Sequence, residues 1–270
     1  MPGETQTVEE TAPPLREGHA YIYSISGDVK GEMELPGVFS TAYRPDLIRR
    51  DFTAAHSNRR QPYGSMKRAG MRHSVETWGK GRGVARIQRV KGQSTGAESP
   101  NNVGGRRAHP PRVERIWEIK INDKERRFAR ASSLASTSDR RLVKGRGHVL
   151  EEDVSLPVIV EDEAESITKS ADVEQMFGKI GILDDVIRAR DGRNVRAGRG
   201  KMRNRRHRQP RGPLVVVSSR DAALSKSARN FPGVEVCTPS DLNTERLAPG
   251  GTPGRLVVFS QKAIGMLVGD

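Results

Sequence analysis

A single cysteine, Cys237, in 270 residues excludes an internal disulfide framework and any Cys-x-x-Cys metal knuckle. Such poverty in cysteine fits a reducing, cytoplasmic setting. Aromatic residues supply only 4% of the chain and hydrophobic residues 34%, so part of it is expected to stay outside any core. Long apolar runs are missing too. None approaches the ~18–20 residues of a membrane span, and the acidic stretch from Met1 to Glu17 has neither the basic nor the apolar region of a secretory signal. The expectation is a soluble chain with no membrane partner. Acidic charge is the last shortage: 33 Asp and Glu face 47 Lys and Arg, a net +14, which makes polyanions, and nucleic acid first among them, the expected partners.

Catalytic motifs are equally scarce. Gly79-Lys80-Gly81-Arg82-Gly83 alternates glycines, but the third glycine of G-x-G-x-x-G, counted from Gly81, falls on Arg86, and no strand precedes it. Gly200-Lys201 lacks the rest of a phosphate-binding loop, since residue 195 is Val and 202 is Met. His19, His56, His73, His109, His148 and His207 are scattered without metal-ligand spacing and read as surface or RNA-contacting histidines. Glu151-Glu152-Asp153 and Glu161-Asp162-Glu163-Glu165 read as solvated charges or as partners of the chain's own arginines rather than a Mg²⁺ site. Ser218-Ser219 has no nucleophile elbow around it. The reading is of no enzyme: no catalytic residue, no metal ligand, no cofactor and no small-molecule substrate.

What is there is charge, sorted along the chain. Residues 56–112 carry a net +11 and 188–212 a net +10, whereas 147–187 carry −9. The first basic segment holds nine Gly, four Pro, five Val or Ile and no Leu, so it shows no sustained period and is not expected to bury itself. An insertion of that length is far above the usual loop of about 4–6 residues. The expected organisation is therefore a globular domain from 1–55 and 113–270, a long extended basic loop over 56–112, and a second basic segment over 188–212.

The globular parts read as α/β. Ala20 to Ile25 and Gly31 to Phe39 alternate as two short strands or a hairpin. Pro45-Asp46 opens a helix with Leu47, Ile48, Phe52 and Ala55 on its apolar face, and Asp123 opens another with a weak face of Phe128, Ala131, Leu134 and Ala135. Leu156 to Val160 reads as a buried strand, followed by a helix capped by Ser170 or Asp172, carrying Val173, Met176, Phe177 and Ile180 and ending near Gly181. Strands at 214–217, 234–237 and 256–259 then alternate with helical stretches at 221–228, 239–247 and 262–267. Such alternation predicts a mostly parallel sheet with helices on both faces.

The basic segments suit a phosphate backbone, because Gly permits close approach and Arg and Lys neutralise. Arg49, Arg50, Arg59 and Arg60 lie mostly off the helical stripe; Lys80, Arg82, Arg86, Arg89, Arg106 and Arg107 continue the series; Tyr63, Trp78 and His109 offer ring faces to unpaired bases. In the second segment the candidates are Arg199, Lys201, Arg203, Arg205, Arg206 and Arg208. Their like charges repel unless an anion neutralises them.

Four stretches taken together carry a resemblance: Arg44-Pro45-Asp46-Leu47-Ile48-Arg49-Arg50, His56 to Gly64, Trp78 to Arg86, and Gly104 to Pro111. In this order they resemble the archaeal and eukaryotic form of the universal fourth-protein family of the large ribosomal subunit, from about Tyr21 to the C-terminus. The resemblance implies a structural constituent of that subunit that binds its rRNA and acts as an early assembly scaffold. Its α/β domain would lie on the solvent side while the loop penetrates the rRNA. Lys80, Gly81, Arg82, Gly83, Val84, Ala85 and Arg86 would line the polypeptide exit tunnel, with Trp78 as the preceding aromatic. Implied partners are the large-subunit rRNA and neighbouring ribosomal proteins, including the other protein at the tunnel constriction. The only metal implied is Mg²⁺ held by the rRNA. Ordering such a loop costs about 1–2 kcal/mol per residue, so it is expected to order during assembly. The residues leave a second role open, that of a free regulatory RNA-binding protein acting on its own messenger or operon.

Overall fold

The computed structural model describes residues 15, 16 and 18–267; the acidic N-terminal stretch read above for a leader lies outside them except for Leu15 and Arg16. Two units are distinguished, one comprising the chain up to His56 and from Lys120 onward, the other Ser57–Ile119.

The first unit is built on a six-stranded sheet. Its strands are β1 (His19–Tyr23), β2 (Val29–Glu34), β5 (Val158–Val160), β8 (Leu214–Val216), β9 (Glu235–Cys237) and β10 (Val257–Ser260), in the order β2-β1-β5-β10-β8-β9. Only β1 and β2 are antiparallel; every other neighbouring pair is parallel. Strand alternation sends side chains to opposite faces. Val158, Val160, Val215 and Val258 join one cluster, and Ile159, Leu214, Val216, Val257 and Phe259 the other.

Helices cover both faces, which is why β5, β8 and β10 are buried at every position rather than alternately. The first cluster takes in α3 (Arg140–Arg146) through Val143, α4 (Ser170–Ile180) through Val173, Met176, Phe177 and Ile180, α5 (Leu183–Asp191) through Val186, and α6 (Ala223–Ala228) through Leu224. The second takes in α2 (Asp123–Ala135) through Leu134, α7 (Thr244–Leu247) through Leu247, and α8 (Gln261–Met266) through Ala263 and Ile264. Phe39 seals this side edge-on against Phe259, with ring centroids 6.0 Å apart.

Several local expectations are corrected. In α1 (Pro45–Asn58) the buried residues are Ile48, Asp51 and Ala54, with Leu47, Phe52 and Ala55 only half-buried. Helix α2, capped by the Asn122 side chain on the Lys124 N–H at 2.9 Å, buries Ala129, Ser132, Ser133, Leu134 and Ala135, while Phe128 is left 38% exposed. Serines can be buried on that face because their hydroxyls are bonded: Ser133 donates to the Ala129 carbonyl at 2.7 Å and Ser132 accepts from the Arg44 N–H at 2.8 Å. At α4 neither Ser170 nor Asp172 caps: Lys169 holds the cap position, and the Ser170 hydroxyl donates to Ser227 O at 3.4 Å. Gly181 ends that helix in a left-handed conformation at φ 83°, as expected.

Glu151, Glu152, Asp153 and Glu163 are exposed, as the solvated reading expects, whereas Glu161, Asp162 and Glu165 are held by the chain itself. Past the carboxyl ends of β5, β8 and β10, Glu165 accepts from the Ser218 N–H at 2.6 Å and from the hydroxyls of Ser218 and Ser260 at 2.5 and 2.6 Å. Glu161 accepts from the Ile25 N–H and from Lys30, and Asp162 from the Lys262 N–H. Serines, lysines and main chain, not arginines, satisfy them. In open α/β sheets this edge is where anionic ligands bind. Here Glu165 fills it with a carboxylate of the chain's own.

The Ser57–Ile119 unit has its own hydrogen bonding. Strands β3 (Val75–Thr77) and β4 (Gln88–Val90) pair antiparallel, β4 turns back so that Ala97 N–H reaches the Gln88 carbonyl at 2.9 Å, and Ala97 is buried. Its two arms meet repeatedly. Ser57 Oγ donates to Trp117 O at 2.7 Å, Asn58 Oδ1 accepts from Ile119 N at 2.9 Å, Ser65 N donates to Pro111 O at 3.2 Å, and Gly70 leaves no room for a Cβ beside Arg106. These contacts all lie within the Ser57–Ile119 unit.

Candidate nucleic-acid interface

The tip of the Ser57–Ile119 unit is the connection between β3 and β4. It contains Trp78 to Ile87, and every residue from Gly79 to Arg86 is exposed. Gly79, Gly81 and Gly83 take φ of 72°, 86° and 65°, a region that other residues rarely enter, and a Cβ at any of them would meet open space. Conformation, not crowding, therefore demands these three glycines. Lys80, Arg82 and Arg86 stand between and beyond them. The half-buried Trp78 ring carries the guanidinium carbons of Arg82 at 4.9 Å and Arg89 at 5.0 Å from its centroid. Arg89 is committed internally, donating to the carbonyls of Ser94 and Ala85, so it ties the hairpin.

Lower in the unit, a residue that the sequence reading did not single out becomes the centre of a cluster. Trp117 stacks on Tyr63 with centroids 6.1 Å apart, and the guanidinium carbons of Arg60 and Arg115 lie 3.6 and 4.2 Å from its ring centroid. Tyr63 remains 59% exposed. The available signal was composition: Trp117 is one of only two tryptophans and follows Arg115 at the end of the basic stretch. Arg106 is half-buried beside Gly70, while Arg107 and His109 are exposed. Arg49, Arg50 and Arg59 are exposed on and just after α1, with Arg50 paired to Glu125 at 3.2 Å.

The second basic segment is a small hairpin in the first unit, β6 (Asn194–Val195) pairing with β7 (His207–Arg208). Arg199, Lys201, Arg203, Arg205, Arg206 and Arg208 are all exposed on it. Its root belongs to the core. Arg188 is the last-turn residue of α5: its Nε donates to Asp185 at 2.9 Å and its Nη2 to the Arg211 carbonyl at 2.8 Å. Asp185, fully buried, also accepts from the Val149 N–H and from His148 Nδ1, both at 3.0 Å.

His148 is thus a correction, since it is only 4% exposed and is bonded to the buried Asp185. Burial pushes its pKa down against the pull of Asp185, which favours the neutral ring. Burial works against ionising Asp185, but the bonds from His148, Arg188 and Val149 outweigh it and hold the carboxyl below its ordinary range. Cys237 is buried, and burial pushes its thiol up. Among the described residues, no group of three or more His, Cys, Asp or Glu is placed to hold a metal ion.

Comparison with known proteins converges on one group. A family model described as the ribosomal protein L4/L1 family matches residues 33–270. "Large ribosomal subunit protein uL4" of Methanocaldococcus jannaschii is 49% identical over 245 residues, covering 91% of this chain and 96% of that protein. The proteins of the same name from Methanosphaera stadtmanae and Thermoplasma acidophilum are each 44% identical over 243 residues, covering 90% of this chain and 93% and 94% of theirs.

Proposed function

The chain belongs to the ribosomal protein L4/L1 family, and from that premise we propose that it is a structural constituent of the large ribosomal subunit, holding rRNA through the Ser57–Ile119 unit and the β6–β7 hairpin. Members of this family are structural, non-enzymatic components. The rRNA and adjoining ribosomal proteins are its partners, the cytoplasm its location, and any Mg²⁺ is held by the rRNA. Among the described residues no helix is long and apolar enough to cross a membrane.

The carrying observation is the tip. A glycine-shaped turn with Lys80, Arg82 and Arg86 exposed around it brings main chain and cations to phosphates without bulk, and Val84 and Ala85 leave a small uncharged wall. We assign this turn to the wall of the polypeptide exit tunnel. Binding of this type releases counterions, so affinity falls with salt at a slope near −0.9 per duplex phosphate neutralised. Clamping separate rRNA segments with two basic hairpins makes the chain an assembly scaffold.

The test is a salt-washed gradient of large subunits, followed by photocrosslinking from a stalled nascent chain bearing a benzophenone. The chain should stay with the subunit, and the nascent chain should react within residues 79–86. Free sedimentation at the top of the gradient overturns the ribosomal reading. Retention with no product in that turn overturns the tunnel assignment alone.

A further inference from the structure

Helix α2 presents a feature that neither basic hairpin uses. A groove of about 640 Å³ runs over it, lined by Val38, Phe128, Ala131, Leu134 and Leu267 together with the cations Lys124, Arg127 and Arg130. The volume is within the ~300–1,000 Å³ range of ligand-holding pockets. Leu134 and Leu267 are buried, whereas Phe128, the one ring in the groove, is left 38% exposed. On the same helix Arg126 is matched by Asp123 and Glu125 by Arg50. Lys124 and Arg127 have no acidic partner among the described residues and are exposed.

Resting on the ribosomal reading above, we propose that this groove is a third rRNA site, taking one unpaired nucleotide whose base lies against Phe128 and whose phosphates meet Lys124 and Arg127. Among the described residues the lining side chains offer hydrogen-bond donors from cations only, with no carboxylate or amide, so the groove favours an anionic occupant. An aliphatic floor with one phenyl face suits a flat, π-faced group. A nucleotide combines the two. Because no lining side chain can read a Watson–Crick edge in both directions, recognition is by base face: the position must be unpaired, and its identity is free to vary. An acidic amphipathic protein segment is the competing occupant, and the experiment separates the two.

Phe128→p-benzoylphenylalanine is introduced into the full chain, large subunits are isolated, and adducts are mapped after irradiation by reverse-transcription stops and by peptide mass. The expected result is an rRNA adduct at one unpaired nucleotide, lowered about tenfold when Lys124→Glu and Arg127→Glu are added, as for a loss of ~1.4 kcal/mol. An adduct with another protein, with residues 1–17 of the same chain, or no adduct overturns the site. An unsubstituted chain absent from the subunit fraction overturns the ribosomal reading as well, so the two failures are distinguishable. Should the benzophenone itself block incorporation, zero-length ultraviolet crosslinking of the unsubstituted chain reads the same contact: an α2 peptide joined to a nucleotide supports the site, and its absence overturns it.

Discussion

The Trp117 indole and the Tyr63 phenol, from opposite arms of one unit, lie 17° from parallel with their centroids 6.1 Å apart. With Arg60 and Arg115 on the same indole, the arms are joined by contacts worth about 0.5–1.5 kcal/mol each. Trp117→Ala should therefore lower amide-exchange protection at Ser65 and Ile119 by tenfold or more (about 1.4 kcal/mol), leaving β5 and β10 unchanged. Equal protection in the variant would show that the arms are held by the main-chain bonds alone.

The buried His148–Asp185 pair sets a pH dependence. His148 titrates below the ordinary histidine value of ~6.5, so the folded chain prefers it neutral; that stability is complete above ~6.5 and declines as pH falls. Asp185 is also depressed, so its contribution is present above ~3.9 and is lost on further acidification. Both act in one direction. Urea unfolding should give stability that rises with pH from 4 to 7, His148→Gln should flatten the upper part of that rise, and Asp185→Asn should cost about 3 kcal/mol at pH 7.

Glu165 gathers three donors from two neighbouring strand ends. Burial opposes its ionisation, yet the Ser218 and Ser260 bonds hold its carboxyl below the usual carboxylate range. Glu165→Gln keeps the shape but cannot accept all three bonds on charged oxygens. A loss of about 1–3 kcal/mol is expected at pH 7, and a smaller one in acid, where the parent carboxyl is itself protonated. Thermal melts at both pH values would settle it, and an unchanged melting temperature at neutral pH would refute it.

Two glycines of the basic unit should respond differently to alanine. A Cβ on Gly105 would run into the Ser99 carbonyl, so that turn must open. Gly81 stands in free space at φ 86°, and alanine there pays about 1–2 kcal/mol of local backbone strain with no neighbour disturbed. Limited proteolysis should find new cleavage around residues 99–105 in the first variant and none beyond the tip in the second.

The β6–β7 hairpin offers a thermodynamic check. Replacing Arg203, Arg205 and Arg206 by Gln should reduce the salt slope of rRNA-fragment binding by roughly 0.7–0.9 for each phosphate that is no longer neutralised. A slope identical to the parent's would remove the hairpin from the interface.

Much of the architecture was legible because a sheet covered on both faces writes itself as short apolar runs, as at Val158–Val160 and Leu214–Val216. Helix α3 was not, since its seven residues bury only Val143 and leave no period to read. Phe128 was misplaced because periodicity counts apolar residues and the α2 face is packed with serine and alanine. His148 and Trp117 escaped for a shared reason: their partners, Asp185 in one case and Tyr63 in the other, are distant in sequence, and only folding brings them together.

The burial of Cys237 has a practical side. As the chain's sole thiol is enclosed and hard to ionise, it reacts slowly with maleimides. A cysteine placed at Val84, 46% exposed in the glycine-shaped turn, then becomes the one accessible attachment point. A dye fixed there would report in real time any change in the turn's exposure to water, without any prior removal of native cysteine.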